Sequence, residues 1–139
     1  MPTVFTASTP VLKEFEKTVC AYKLRSCGVI LSCICPLMYM NNPDIYKKPM
    51  PGKALCLPMT IGSTTGGMIL CTACSMGRQP ACMLFSQPID SPAASGAILG
   101  DVWTGAKMPV VDKLGDEFLE TVKTGMRVVV KEDGVVEVE

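Results

Sequence analysis

The chain has 139 residues, of which 13 are basic and 13 acidic, and it contains eight cysteines but no histidine. This length suits a single domain over residues 1–139 with a core of its own. A net charge of zero disfavours nucleic acid and other polyanions as ligands, because these bind through clustered lysine and arginine side chains. Without histidine the chain alone cannot form a Ser-His-Asp or Cys-His catalytic group, or a zinc site that uses imidazole.

The apolar content of the first third does not predict a membrane anchor. The longest apolar run, Val29 to Met40, is interrupted by Pro36 and is shorter than the roughly 20 residues that span a bilayer. Lys23 and Arg25 precede this run in the order of a secretory signal, but no small-residue cleavage site follows. We therefore expect a cytoplasmic protein with reduced thiols and no membrane contact.

The first half of the chain is predicted to consist of short strands, loops and one helix. Thr18 to Leu24 and Val29 to Cys35 are typical of two strands joined by a turn, and we expect a hairpin there. Ala54 to Leu57, between a glycine and a proline, is typical of a buried strand. Residues 64–76 contain few polar groups and end before Gly77, which predicts a helix buried on nearly all sides.

The second half alternates strands with helices. Residues 81–85 and 108–111 are predicted strands, and Ser91 is the predicted N-cap of a helix that ends at about Leu99. A short helix and a closing hairpin of two strands follow, at residues 116–122, 126–130 and 135–138. Strands that alternate with helices between terminal hairpins predict an α/β domain with a mixed sheet.

Charge is distributed unevenly along the chain. Residues 1–48 carry six basic and three acidic groups, and residues 112–139 carry four basic and eight acidic ones. The 63 residues between them carry only five charges. A domain of this size cannot bury such a stretch completely, so part of its surface is predicted to contact another protein. A neutral exterior of small polar side chains is the alternative.

The sharpest local feature is the sequence Pro-Met-Thr-Ile-Gly-Ser-Thr-Thr-Gly-Gly at residues 58–67, between a predicted strand and a predicted helix. A helix N-terminus presents unpaired N–H groups and a partial positive charge, and glycines let a ligand approach the backbone. The pattern predicts an anion-binding loop, with simple capping by its hydroxyl groups as the alternative. It is not a Walker A loop, because Met68 occupies the position of the phosphate-binding lysine.

The cysteine pairs permit a redox or metal-binding interpretation. Cys71 and Cys74 have the Cys-x-x-Cys spacing, but both lie about two turns inside an apolar helix rather than at its N-terminus. We expect them to pack as small hydrophobic side chains, and the same holds for Cys33 and Cys35 in a predicted strand. Asp90, just before a predicted helix, is interpreted as a turn or cap residue rather than an acid or base.

These features together resemble the small, swivelling domain of the aconitase X family. The matching motifs are Gly-Lys-Ala-Leu-Cys-Leu-Pro at 52–58, Ile-Gly-Ser-Thr-Thr-Gly-Gly at 61–67, Gln-Pro-Ala-Cys-Met-Leu-Phe at 79–85, Asp90-Ser91, Gly-Ala-Ile-Leu at 96–99 and Pro-Val-Val at 109–111. The likeness covers residues 43–139. Residues 1–42 match poorly, since an aromatic and glycine-rich segment of the family is reduced to Ser-Cys-Gly at 26–28. The resemblance implies a swivelling β/β/α domain with a mixed sheet flanked by helices.

The resemblance also implies an activity. Family members are hydro-lyases that dehydrate hydroxy acids, and their small domain works with a large subunit that carries the metal centre. By this likeness Ser63 is the proton acceptor, and the substrate-binding residues are Gly62, Thr64, Thr65, Gly66 and Gly67. An iron–sulfur cluster or iron is expected on the large subunit, with no metal bound by this chain. The chain is expected to be inactive alone and to form a heterodimer.

The substrate and the reaction class have alternatives. The sequences at 68–70 and 85–91 resemble the branch of the family that dehydrates cis-3-hydroxy-L-proline more than the branch that dehydrates mevalonate 5-phosphate. The predicted substrate is therefore cis-3-hydroxy-L-proline. Mevalonate 5-phosphate, the substrate of another branch, is the alternative. A non-enzymatic module that holds a carboxylate or phosphate and regulates its partner is a second interpretation of the same loop.

Overall fold

The computed structural model describes residues 2–6, 17–23, 48–60 and 65–139, which form one seven-stranded sheet and three helices. The strands are β1 (Thr3–Thr6), β2 (Lys17–Lys23), β3 (Lys53–Leu57), β4 (Cys82–Phe85), β5 (Val110–Val111), β6 (Arg127–Val130) and β7 (Val135–Val138). The helices are α1 (Thr65–Ser75), α2 (Ser91–Thr104) and α3 (Asp116–Thr121). No helix in these ranges is long and apolar enough to cross a bilayer.

The sheet is mixed, as predicted, with the strand order β1-β7-β6-β2-β3-β4-β5. Strands β2 to β5 run parallel to one another, whereas β1, β7 and β6 pair antiparallel and join the parallel part through β2. The closing hairpin is confirmed as β6–β7, and β1 was not predicted. The second strand of the predicted N-terminal hairpin, residues 29–35, lies outside the described residues, and β2 is flanked by β6 and β3.

The central strands are buried on both faces of the sheet, which explains their continuous apolar sequences. Along β4 the side chains of Met83 and Phe85 join one core, and those of Cys82 and Leu84 join the other. The first core packs against α1 and α2. The second packs against α3, where the ring of Phe118 contacts that of Phe5 edge to face, with centroids 5.2 Å apart.

Glycines bring α1 and α2 into backbone contact. A Cβ atom on Gly67 would lie 2.3 Å from the carbonyl oxygen of Pro92, and one on Gly96 would lie 2.5 Å from that of Gly67. Further along the pair, a Cβ on Gly100 would lie 2.6 Å from the Sγ of Cys74. These contacts place the first turns of α1 and α2 side by side.

The prediction that the first helix is buried on nearly all sides is wrong. Only one face of α1 packs against the sheet and α2, and its buried residues are Gly67, Leu70, Ala73 and Cys74. Met68 is 71% exposed and Met76 is 44% exposed. An uncharged helix is also compatible with an outward side that water, or another protein, contacts.

The second helix differs from its prediction at both ends. Its N-cap is Asp90, not Ser91, because the Asp90 carboxylate accepts the N–H of Ala93 while its backbone stays extended. Its last helical residue is Thr104 rather than Leu99, and Gly105 ends it in the left-handed conformation with φ 68°.

Candidate functional site

The candidate site lies at the carboxyl ends of the parallel strands. Among the connections that leave the sheet at this edge are the three that lead to the described helices: residues 58–64 from β3 to α1, residues 86–90 from β4 to α2, and residues 112–115 from β5 to α3. Ligands of open parallel sheets bind outside this edge, where helix N-termini also face. The predicted anion-binding loop at residues 58–67 consists of the first of these connections, 58–64, and the first turn of α1.

The residues predicted to form the site fall into two groups. Gly62, Ser63 and Thr64 lie outside the described residues. Thr65, Gly66 and Gly67 form the first turn of α1, with Thr65 exposed and Gly67 buried against α2. The N–H groups of a first helical turn have no partner within the helix, and this turn contains no acidic side chain. The partial positive charge of this turn favours an anion beside it.

Thr60 and Asp90 connect the first two of these loops. The Thr60 hydroxyl donates to Oδ1 of Asp90 at 2.5 Å, and the same oxygen accepts the N–H of Ala93 at 3.2 Å. Asp90 was interpreted as a turn or cap residue, and its role as the N-cap of α2 is confirmed. Its contact with Thr60 was not predicted, because nothing in the sequence relates residues 30 positions apart in two different loops.

Backbone hydrogen bonds continue the sheet pattern into the loops. The N–H of Gln87 donates to the carbonyl oxygen of Pro58 at 3.0 Å, which joins the β4 loop to the β3 loop. On the other side, the N–H of Gly115 donates to the carbonyl oxygen of Ser86 at 3.0 Å. The connection after β4 is therefore fixed to both of its neighbours.

Asp112 supports the same connection. This residue is 8% exposed, and its Oδ2 accepts the N–H of Ile89 at 3.1 Å. A carboxylate that accepts a backbone N–H group orders the loop that donates it. Asp90, the residue after Ile89, does the same when it accepts the N–H of Ala93. We therefore assign Asp90 and Asp112 to loop support rather than to proton transfer.

Positive charge is present at this edge of the described chain. Lys23 is the last residue of β2 and lies near the end of β3, where its charge acts on the Cys56 thiol. Lys113 follows β5, is exposed, and has a left-handed backbone with φ 59°. Such a backbone conformation is uncommon for a residue other than glycine. Both ammonium groups favour an anionic ligand at this edge.

Three of the five described cysteines, Cys56, Cys74 and Cys82, are buried, whereas Cys20 and Cys71 are partly exposed. Burial raises the pKa of the Cys56 thiol well above its usual value, and the neighbouring Cys82 thiol adds to this effect. Burial also raises the pKa of the Cys74 thiol to about 11, with smaller contributions from Cys71 and Asp101. Metal ions bind the thiolate. In the described ranges no three His, Cys, Asp or Glu side chains are placed to hold a metal ion, so these residues do not fit a metal centre.

A second surface lies beside the site, on the outward sides of α1 and α2. We call it the outer helix face; its exposed apolar side chains are Met68, Met76, Ile98, Val102 and Trp103. Helix α1 has no charged residue, and the one charged residue of α2, Asp101, is paired with Lys107 at 3.0 Å. Both helices belong to the charge-poor stretch of 63 residues, part of whose surface is predicted to contact another protein.

Comparison with known proteins gives both a family and relatives of the same fold. Residues 37–138 match the family model described as the aconitase X swivel domain. The phosphomevalonate dehydratase small subunit of Aeropyrum pernix is 33% identical over 93 residues. That alignment covers 66% of this chain and 64% of the relative, which is less than two thirds of its length.

Two solved structures have the same fold. The crystal structure of Thermococcus kodakaraensis aconitase X in its holo-form superposes with a TM-score of 0.79 at 22% identity, over 99% of this chain and 98% of that one. The solution NMR structure of a UPF0107 protein superposes with a TM-score of 0.80 at 24% identity, over 99% of both chains. The predicted fold class, a swivel-type α/β domain with a mixed sheet, is confirmed.

Proposed function

This chain belongs to the aconitase X swivel-domain family, and we propose that it is the small subunit of a hydro-lyase that removes water from a hydroxy acid. The observation that carries the proposal is the place of the serine loop in the chain, between β3 and α1 at the carboxyl edge of parallel strands. The name of the Aeropyrum pernix relative, a dehydratase small subunit, supports the reaction class and a larger partner.

In the proposed reaction Ser63 accepts a proton from the carbon next to the substrate carboxylate. A serine hydroxyl is a weak base unless its oxygen anion is stabilised, and the N–H groups in the first turn of α1, which have no partner within the helix, would supply that stabilisation. Negative charge also grows on the substrate carboxylate as the proton leaves, and Lys23 and Lys113 add positive potential at this edge. A metal centre on the larger subunit, iron or an iron–sulfur cluster, would supply the Lewis acid for the departing hydroxyl.

We assign the outer helix face to the contact with this larger subunit. The outer helix face is apolar and offers no unpaired charge, so it fits an apolar, uncharged surface of the partner. Charged groups on the partner would lose their hydration there without gaining a counter-charge. Met68, in the first turn of α1, connects this face to the proposed site. A partner seated there would therefore also lie beside the proposed site.

The name of the Aeropyrum pernix relative, a phosphomevalonate dehydratase small subunit, supports mevalonate 5-phosphate as the substrate. The sequence at 68–70 and 85–91 favours cis-3-hydroxy-L-proline, and this preference stays a prediction. Both substrates are hydroxy acids that present a carboxylate to the loop, and the phosphate adds a second anionic group. The two are therefore assayed side by side.

The test is reconstitution of activity. We expect this chain, co-expressed with the large aconitase X-type subunit of the same organism, to release one molecule of water from one of the two hydroxy acids, as detected by mass spectrometry of the unsaturated product. The chain alone should show no turnover. Ser63→Ala should abolish turnover and leave the complex intact in size-exclusion chromatography.

A matched control is Ser75→Ala at the other end of α1, where the hydroxyl is exposed and donates to the carbonyl oxygen of Thr72 at 2.8 Å. This variant should keep full activity. Full activity of Ser63→Ala would contradict the assignment of the base. Tight calorimetric binding of a carboxylate or phosphate by the chain alone, with no turnover in the complex, would favour the non-enzymatic module instead.

A further inference from the structure

The described residues on both sides of the serine loop are tied to one segment, residues 87–96. Before the loop, Pro58 accepts the N–H of Gln87 at 3.0 Å, and the Thr60 hydroxyl donates to Asp90 at 2.5 Å. After the loop, the backbone of Gly67 contacts the first turn of α2 so closely that a Cβ would lie 2.3 Å from a carbonyl oxygen there. Four residues, 61–64, separate Thr60 from the start of α1.

The segment that receives these contacts is itself held in place. Asp90 caps α2 through the N–H of Ala93, and its carbonyl oxygen accepts the N–H of Ala94 at 3.0 Å. Asp112 holds the N–H of Ile89 from the opposite side at 3.1 Å. A carboxylate with several donors is a firm anchor, because charge-assisted hydrogen bonds are roughly twice as strong as neutral ones.

We propose that Thr60 and Asp90 are positioning residues for Ser63, an inference that rests on the proposed function. Thr60 is three residues before Ser63 and carries the one side-chain hydrogen bond between residues 58–60 and the α2 N-terminus within the described chain. A general base has to sit within hydrogen-bond distance of the proton that it removes. A misplacement of about 1 Å from a change outside the reacting groups can cost about 100-fold in rate.

The test variant is Thr60→Val, which has nearly the same shape, removes the hydroxyl and leaves the Asp90 cap of α2 in place. We expect kcat of the two-subunit enzyme to fall by about 10- to 100-fold, with KM changed by less than about threefold. Thr60→Ser, which keeps the hydroxyl, should restore most of kcat. The matched control is Thr121→Val on α3, far from the outer helix face, whose hydroxyl donates to the carbonyl oxygen of Glu117 at 2.9 Å; it should leave kcat unchanged.

A second measurement does not depend on turnover. Amide hydrogen exchange of residues 61–66 in the full chain should become faster in Thr60→Val and stay unchanged in Thr121→Val. Unchanged exchange, unchanged kcat, or no recovery in Thr60→Ser would each overturn the positioning role. If the wild-type complex dehydrates neither substrate, the proposed function fails first, whereas an active wild type with a fully active Thr60→Val refutes this inference alone.

Discussion

The two halves of the sheet present opposite kinds of surface. In the antiparallel half, made of β1, β7 and β6, charged side chains pair with each other: the partly buried Lys131 with Glu137 at 2.5 Å, and the exposed Arg127 with Glu139 at 3.6 Å. Helix α3, which packs on the core of this half, begins with two acidic residues. In the parallel half, the helices α1 and α2 expose methionine, valine and tryptophan.

This difference does not come from poorer packing of the parallel half. Every residue of β4 is buried, and α1 and α2 touch through their backbones at Gly67 and Gly96. The apolar side chains of the outer helix face therefore lie on the outside of a closely packed pair. We infer that the outer surface of the antiparallel half faces water, whereas the outer helix face of the parallel half contacts another protein.

The largest expected effect comes from removing an aromatic side chain of the outer helix face. Trp103 is 71% exposed at the end of α2. Trp103→Ala should weaken binding of the larger subunit by about 30-fold or more, because truncating a tryptophan in the centre of an interface costs about 2 kcal/mol or more. The thermal midpoint of the isolated chain should barely change, since exposed substitutions stay within about 0.5 kcal/mol.

The comparison between the halves supplies the control. Glu120→Ala removes an exposed charge on α3, in the other half, and should leave the dissociation constant unchanged in surface plasmon resonance. Val102→Glu, which puts a charge into the outer helix face, should weaken binding at least as much as Trp103→Ala. Equal losses from Glu120→Ala and Trp103→Ala would place the larger subunit elsewhere.

The sequence predicts the central strands well, misses β1 and misjudges the exposure of α1. Central strands buried on both faces have continuous apolar sequences, so 54–57 and 81–85 were recognisable without a structure. The absence of charge in α1 was interpreted as burial on all sides, yet it belongs to an outward face. Composition alone cannot distinguish a side chain buried within its own fold from one that a second protein covers, because both are apolar.

A smaller effect is expected at the contact between α1 and α2, on which the packing of the parallel half depends. Gly67→Ala places a methyl group against the backbone of Pro92, 2.3 Å from its carbonyl oxygen. Overpacking of this kind costs about 1–3 kcal/mol, partly offset by the better helix propensity of alanine. We expect the free energy of unfolding in urea to fall by about 1–2 kcal/mol.

The adjacent glycine is the matched control. A Cβ on Gly66 would meet nothing within 4 Å, so Gly66→Ala should leave stability unchanged or raise it by up to about 1 kcal/mol. Equal behaviour of the two variants would mean that α1 and α2 can separate freely. The parallel half would then lack the close packing that distinguishes its outer face from a loosely packed surface.

The site is less predictable than the fold, for a physical reason. The turn-or-cap role of Asp90 follows from local sequence, because an acidic residue before Ser-Pro is a familiar helix start. Its hydrogen bond to Thr60 and the support of Ile89 by Asp112 join loops that are far apart in the chain. Only the strand order brings these loops together. The roles of Gly62, Ser63 and Thr64 stay predictions, tested by the variants above.

The smallest expected effect concerns the thiol between α1 and α2. The pKa of Cys74 is raised to about 11, chiefly by burial, from an ordinary value of 9.0. Above pH 9.0 the unfolded chain loses this proton while the folded chain keeps it. The free energy of unfolding should therefore fall between pH 9.0 and about 11, and the full contribution of the thiol is present below pH 9.0.

Cys74→Ala removes this titration and should be somewhat less stable than wild type at neutral pH, because it loses a buried sulfur. Its deficit should shrink as urea unfolding is repeated at rising pH, since only the wild type loses stability through the thiol. Parallel curves for the two proteins would mean that water reaches this sulfur in the folded chain. The contact between α1 and α2 would then admit water. The exposed apolar side chains of the outer helix face would be explained by loose packing of the two helices, without a partner.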